Sequence, residues 1–256
     1  MAKVGGHYLG LSIGRRLIDD FLYAGQQLVC VPIQRRMRLG GVVVARNALA
    51  QRPSWCAIFT KALARVTARH PELRRIYVPA PWPRLFQYDR NVVGIVVERA
   101  FENEPTLFLA RIAAPEDMSI ADLDATLRRF KNRPIEEISG YTGAIRLARL
   151  PTWVRRAFWR CVMRWMPRLR ASLVGTMGVT VTAGKGAAGI YAIAPWPITM
   201  IYDVFDEHGA LDVRLTFDHR VNDGAIFAKA LLEMEQELCG PILAELRAMK
   251  PVSLAA

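Results

Sequence analysis

The sequence predicts a single α+β domain, a mixed or mostly antiparallel sheet flanked by helices. Three observations carry that expectation. Segments of strand-like alternation and helix-like periodicity are mixed along the chain, with long separations between the strands. Hydrophobic residues make up 52% and charged residues 23%, a composition that supports a packed core and argues against wholesale disorder. No internal repeat, linker or low-complexity tract divides residues 1–256; only 251–256 reads as a short flexible tail.

The elements follow in order. Leu11 to Leu22 opens as a helix, with apolar Leu17, Ile18, Phe21 and Leu22 on one face. Gln27 to Leu39 reads as a strand in which Val29, Val31 and Ile33 alternate with other residues. A helix is expected over Gly41–Ala50 and another from Ser54, stopping near His70-Pro71 because the residue before a proline disfavours helix. Short strands are expected at Ile76–Val78, Leu85–Tyr88 and Val92–Val97, around the corner Pro79–Pro83. Thr106–Ala113 is a further strand, and Ser119 with Asp122 caps a helix running to Lys131. Val179–Thr182 and Thr199–Val204 are strand-like, and Leu211–Phe217 is the clearest strand of all. Asp223–Arg247 is a long amphipathic helix with a break near Gly240-Pro241.

Charge and cysteine usage narrow the classes. Met1 to Gly10 has no apolar run behind a basic start, and no apolar run approaches the ~18 residues a membrane span needs, so a cytoplasmic protein is expected. The four cysteines have no CxxC spacing and are expected to be reduced, buried and small. His7, His70 and His208 show no ligand spacing with one another or with cysteine, so no metal is expected. The net charge of +12 is concentrated: between Tyr141 and Tyr202 lie nine basic residues and no acidic one. That asymmetry points to an anionic partner, whether a nucleotide-bearing cofactor, a phospholipid surface or a nucleic acid. No nucleic-acid motif accompanies it.

The residues with the plainest chemistry lie in Asp218-His219-Arg220-Val221-Asn222-Asp223-Gly224. A strand delivers His219 to its end and a helix begins at about Asp223, so rigid elements hold the imidazole on both sides. Histidine both donates and accepts near neutral pH. Asp223, at the first helical turn, can cap backbone amides or pair with a cation, and Gly224 permits close backbone approach.

This run resembles the HxxxDG signature of the chloramphenicol acetyltransferase superfamily, and is most similar to the catalytic domain of the dihydrolipoyl acyltransferases of 2-oxoacid dehydrogenase complexes. The resemblance extends to Leu11–Leu22, Val31-Pro32, the helix from Ser54 ending His70-Pro71-Glu72-Leu73, Val92–Val97, Ser119–Phe130 and Leu231 to Leu243, and is strongest from Leu211 to Leu246. It implies a chloramphenicol acetyltransferase-like, trimer-forming fold. It implies direct acyl transfer without an acyl-enzyme, His219 acting as general base on a thiol or hydroxyl acceptor. Thr182, where the family usually has serine, would bind the oxyanion from the neighbouring subunit. Asp223 would be structural, paired with Arg15 or, failing that, Arg16. The expected co-substrate is an acyl-CoA or carrier thioester with a small acceptor; no cofactor is expected to be bound permanently. A homotrimer or a higher assembly is implied.

The chain departs from that pattern in two respects. Residues 1–256 contain no lipoyl domain, so a separate protein would have to bring any tethered acyl group. Residues 151–174 form a basic amphipathic insert in place of a short polar connection. On a helix Arg156, Arg160 and Arg164 line one edge, opposite Val154, Ala157, Phe158, Cys161, Val162 and Trp165. Three tryptophans among these arginines suit contact with an anion or with lipid, peripherally at the inner face of the membrane. The bland alternative is that the stripe packs on the domain or a neighbouring subunit while the arginines stay wet; two further ones are that the segment guards an acyl pocket or binds the phosphates of coenzyme A. Two other functional classes therefore stand beside the enzyme: a non-catalytic trimeric scaffold and a membrane-surface binding protein.

Overall fold

The computed structural model describes residues 8, 10–181, 183, 186–187 and 189–249. Its centre is a six-stranded sheet in the order β1-β8-β7-β6-β4-β5. The strands are β1 (Cys30–Arg38), β4 (Val92–Phe101), β5 (Glu104–Ala113), β6 (Met177–Val179), β7 (Ile198–Tyr202) and β8 (Ala210–Asp218). β6 runs parallel to both β4 and β7, and the other pairings are antiparallel, so the sheet is mixed as expected. β2 (Arg75–Val78) and β3 (Arg84–Gln87) form a separate hairpin.

The period-two alternation of the strands decides what lies on each face. Val93, Ile95 and Val97 join the main core with α3 (Trp55–Arg69), α4 (Ile120–Asn132) and α8 (Gly224–Glu237). Val96 and Leu109 point the other way, toward α1 (Ile13–Gly25), α5 (Ser139–Ala148), α6 (Thr152–Trp165) and α7 (Pro167–Val174). Trp196 lies fully buried against two neighbouring strands there, its indole donating to Val174 O at 2.6 Å. A Cβ on Gly178 would meet that ring at 1.9 Å and one on Gly94 at 2.6 Å, so both partner positions must be glycine.

Helix α1 crosses this second face. Ser12 caps it, accepting from Arg15 N at 3.1 Å, and donates its own hydroxyl to Glu104 of β5. At the other end Gly25 packs against Ala194, and residues 26–29 lead into β1.

Several boundaries differ from the sequence reading. β4 continues to Phe101 because it turns into β5 through Glu102 and Asn103, both at positive φ (51° and 63°), and hairpin pairing carries the strand past its apolar run. The insert is two helices, because Pro167 has no amide proton to continue α6 and instead starts α7. α5 was not anticipated; its two glycines dilute the helical signal. The α-helical pattern of the last helix is interrupted around Gly240-Pro241, as expected, without the chain leaving helical backbone. A π turn over Leu238–Ile242 absorbs the proline and α9 (Leu243–Ala248) follows; α2 (Gly40–Asn47) precedes α3. No described helix is long and apolar enough to cross a membrane. The cysteines are unpaired, but only Cys30 and Cys56 are partly covered; Cys161 and Cys239 are exposed on helical surfaces, contrary to the expectation of burial.

Candidate functional site

His219 sits where β8 ends, and both neighbouring strands grip the backbone there. Asp218 N–H donates to Pro197 O at 3.0 Å on the β7 side, and His219 N–H donates to Val29 O at 2.9 Å on the β1 side. The imidazole is exposed, with its ring 5.6 Å from that of Phe217. Phe217 in turn stacks on Phe227 of α8 at 4.0 Å. A rigid corner thus presents the ring outward, and no described residue of the same chain hydrogen-bonds its side chain.

The acid that organises the corner is Asp218, which the sequence reading passed over. It is 3% exposed and receives a fork from Arg220, with Nε at 2.9 Å and Nη2 at 2.6 Å. Arg220 also donates to Gln27 O at 3.1 Å and stacks over Tyr77 at 4.6 Å. The available signal was a carboxylate directly after the alternating apolar run Leu211–Phe217 and two residues before an arginine. Asn222 adds a tie, donating to Glu72 O at 2.8 Å. Behind them Arg170 of α7 is buried and donates to Pro195 O at 2.9 and 3.3 Å, bracing the segment that holds Asp218. Burial lowers the Arg170 pKa, and burial beside Asp218 pushes the Cys30 thiol up to about 11.

The other expected residues are placed differently. Asp223 is the N-cap of α8, but its side chain accepts no capping hydrogen bond and is exposed. It does not pair with Arg15 or Arg16. Arg15 is exposed near the N-terminus of α1, beside β5, and Arg16 Nε donates to Leu11 O at 3.1 Å. β5 and β8 are four strand spacings apart in the sheet order, about 19 Å, so the two ends cannot meet within one chain. Gly224 has only the Phe217 ring near an added Cβ, at 4.0 Å, so nothing in the chain requires glycine there. Thr182 lies outside the described residues; β6, which leads to it, ends at Val179.

Three of the six arginines of the insert are engaged by α1. Arg156 pairs with Asp19 at 2.6 Å and stacks on Tyr23, and Arg160 donates to the Tyr23 hydroxyl at 3.2 Å. Arg155 is buried on Asp20 at 2.6 Å. Arg164 alone of the expected edge faces solvent without a protein acceptor among the described residues, 5.9 Å over Trp165. Two arginines of the basic edge, Arg156 and Arg160, thus reach α1 through Asp19 and Tyr23, while Arg160 and Arg164 stay exposed. Among the described residues no cluster of histidine, cysteine and carboxylate could hold a metal.

The sequence matches no protein-family model and no curated protein. Its structure is similar to solved ones. A probable dihydrolipoamide acetyltransferase from Listeria monocytogenes superposes with a TM-score of 0.65 at 16% identity, covering 91% of this chain and 94% of that one. A truncated catalytic core of the 2-oxoacid dehydrogenase multienzyme complex from Thermoplasma acidophilum gives 0.63 at 16% identity, covering 92% and 99%. A chloramphenicol acetyltransferase gives 0.51 at 15% identity, covering 90% and 96%. With its mixed six-stranded sheet and these superpositions over nine-tenths of its length, the chain has the chloramphenicol acetyltransferase-like fold, in the form seen in catalytic cores of the dihydrolipoamide acetyltransferases.

Proposed function

We propose that this protein is an acyltransferase that moves an acyl group from a coenzyme A or carrier-protein thioester to a thiol or hydroxyl acceptor. The observation that carries the reading is the half-site at His219: a histidine fixed by both adjacent strands, its ring exposed and without a partner among the described residues of its own chain. Such a corner is complete only when a second surface faces it, and we propose that a neighbouring subunit of a homotrimer provides that surface. The fold shared with dihydrolipoamide and chloramphenicol acetyltransferases supports this arrangement.

In the proposed step His219 takes the proton of the acceptor S–H or O–H, and the acceptor attacks the thioester carbonyl. The tetrahedral oxyanion collapses with loss of the donor thiolate, which takes up a proton from the imidazolium. Thr182 of the facing subunit is the proposed oxyanion donor; one such hydroxyl is worth about 2.7–4 kcal/mol of barrier. Asp218 and Arg220 hold the corner in shape, the supporting part first expected of Asp223 and Arg15.

The test is thiol release from a panel of acyl-CoA thioesters, with dihydrolipoamide or a lipid extract as acceptor. Release that requires the acceptor and falls by about two to four orders of magnitude in His219→Ala is the expected result. Equal activity in the two proteins, with the oligomer unchanged, would refute the assignment and favour a non-catalytic scaffold.

A further inference from the structure

The proposal here rests on the acyl-transfer reading and names the class of its substrate. On the sheet face covered by α1, α5 and α6 lies a cavity of about 710 Å3, within the roughly 300–1,000 Å3 typical of small-molecule sites. A row of side chains across three strands forms its floor. Leu109 of β5 pairs in register with Val96 of β4, and Thr180 lies one residue beyond the Ile95–Val179 partners of β4 and β6. Two strand spacings make this row about 10 Å long. Phe21 of α1, Leu147 of α5 and Trp159 of α6 complete the walls.

Almost everything that faces the cavity is carbon. The carboxylate of Asp20, which lines it, is already held by Arg155 at 2.6 Å. Arg111 contributes at the β5 end, where its guanidinium lies against Gly140. Ser139, Thr180, Tyr191 and the Trp159 indole are the other polar groups of the lining; over the rest of the wall a polar substrate would find nothing to hydrogen-bond, whereas a hydrocarbon gains by leaving water for it. The other end reaches Thr180, on the segment whose continuation is proposed to hold the thioester oxyanion. A chain attached to a carbonyl there would run from β6 across β4 toward β5. The wall supplied by α6 belongs to the basic amphipathic segment 151–174.

We infer that this cavity holds the hydrocarbon tail of a medium- to long-chain acyl thioester, of about eight to sixteen carbons. The test uses full-length protein in its native oligomeric state and reads binding apart from turnover. A fluorescent fatty acid is displaced by coenzyme A thioesters of four, eight, twelve and sixteen carbons. Affinity should rise by up to about fourfold per methylene (about 0.8 kcal/mol each) and then level off as the cavity fills. Gly143 of α5 lines the cavity, and a Cβ added there meets nothing within 4 Å. Gly143→Phe should therefore fold, with helix propensity on its side, and should weaken the twelve- and sixteen-carbon ligands by about tenfold or more while sparing the four-carbon one. Gly143→Ala is the folding control and should keep the wild-type profile.

A flat profile in the wild type, or an unchanged one in Gly143→Phe, overturns the inference. So does a Gly143→Phe protein that loses its oligomeric state when no chain-length preference exists, which would give the cavity to an apolar segment of a second copy. Binding that depends on chain length without His219-dependent transfer would keep the pocket and remove the acyl-transfer reading. His219-dependent transfer with no chain-length preference would do the reverse.

Discussion

An acid 3% exposed at the end of a strand is costly unless its charge is answered, and Asp218 is answered by both arms of Arg220. Asp218→Asn keeps the volume but removes the charge that the guanidinium fork requires. The expected loss is about 1.5–3 kcal/mol, read from the denaturation midpoint. The backbone bonds that Asp218 and His219 donate to Pro197 O and Val29 O remain, so the substrate surface should survive while the loop after His219 loses its anchor. On the acyltransferase reading this predicts a lower kcat with KM nearly unchanged. A protein that is merely less stable, with kcat intact, would reduce the pair to a structural role. At this scale the sequence made the position of His219 legible, just past a strand and before a helix, because that setting is local. It did not make the partner legible. Asp223 and Arg15 were the expected pair, yet α1 delivers Arg15 to the β5 edge, a consequence of sheet order that no local pattern encodes.

Helix starts were readable where a side chain caps its own helix: Ser54 and Ser119 accept from Ala57 N and Asp122 N, three residues on in each case. The start of α3 has a second support that only the fold reveals. Asp124 of α4 accepts from Ser54 N at 2.8 Å and from Arg128 Nε at 2.8 Å. Burial pushes the Asp124 carboxyl up, but the bonds from Ser54 and Arg128 outweigh it and leave its pKa below the ordinary 3.8. A carboxylate with a depressed folded pKa contributes stability above its unfolded value and loses it as pH falls through the folded one. Asp124→Asn should accordingly cost about 1–3 kcal/mol at neutral pH, and the gap to wild type should narrow below about pH 4. Calorimetric melts of both proteins from pH 7 to pH 3 check this; a gap that stays constant would mean that lost packing, rather than charge, sets the difference. The insert shows the limit of element-level reading. Its stripe and its basic edge were both real periodicities, but whether water, lipid or protein faces them depends on Asp19, Asp20 and Tyr23, 135 to 137 residues away in sequence.

The charge excess of the whole molecule was visible in composition, and the fold decides how much of it stays available. Of the eight arginines between Tyr141 and Tyr202, Arg155 and Arg156 are neutralised by Asp20 and Asp19, and Arg170 is buried on a carbonyl. Arg146, Arg149, Arg160, Arg164 and Arg168 remain exposed and, among the described residues, make no ion pair with a carboxylate. They are carried on and beside α5, α6 and α7, the helices that cover the proposed acyl cavity and brace the His219 corner. A positive field at that place attracts an anionic donor during diffusion, and its reach is the Debye length, which shrinks from about 14 Å at 50 mM salt to about 4 Å at 500 mM. The donor proposed here carries phosphates, whereas its pantetheine thioester has the same reacting atoms and no charge. Raising the salt over that interval should lower kcat/KM for the coenzyme A thioester by about tenfold and change it less than about twofold for the pantetheine analogue. Changing Arg146, Arg149 and Arg164 together to Glu should flatten the salt dependence of the charged donor without altering the neutral one. Equal salt dependence for both donors would mean that the arginines do not steer the donor and that their partner is some other anion.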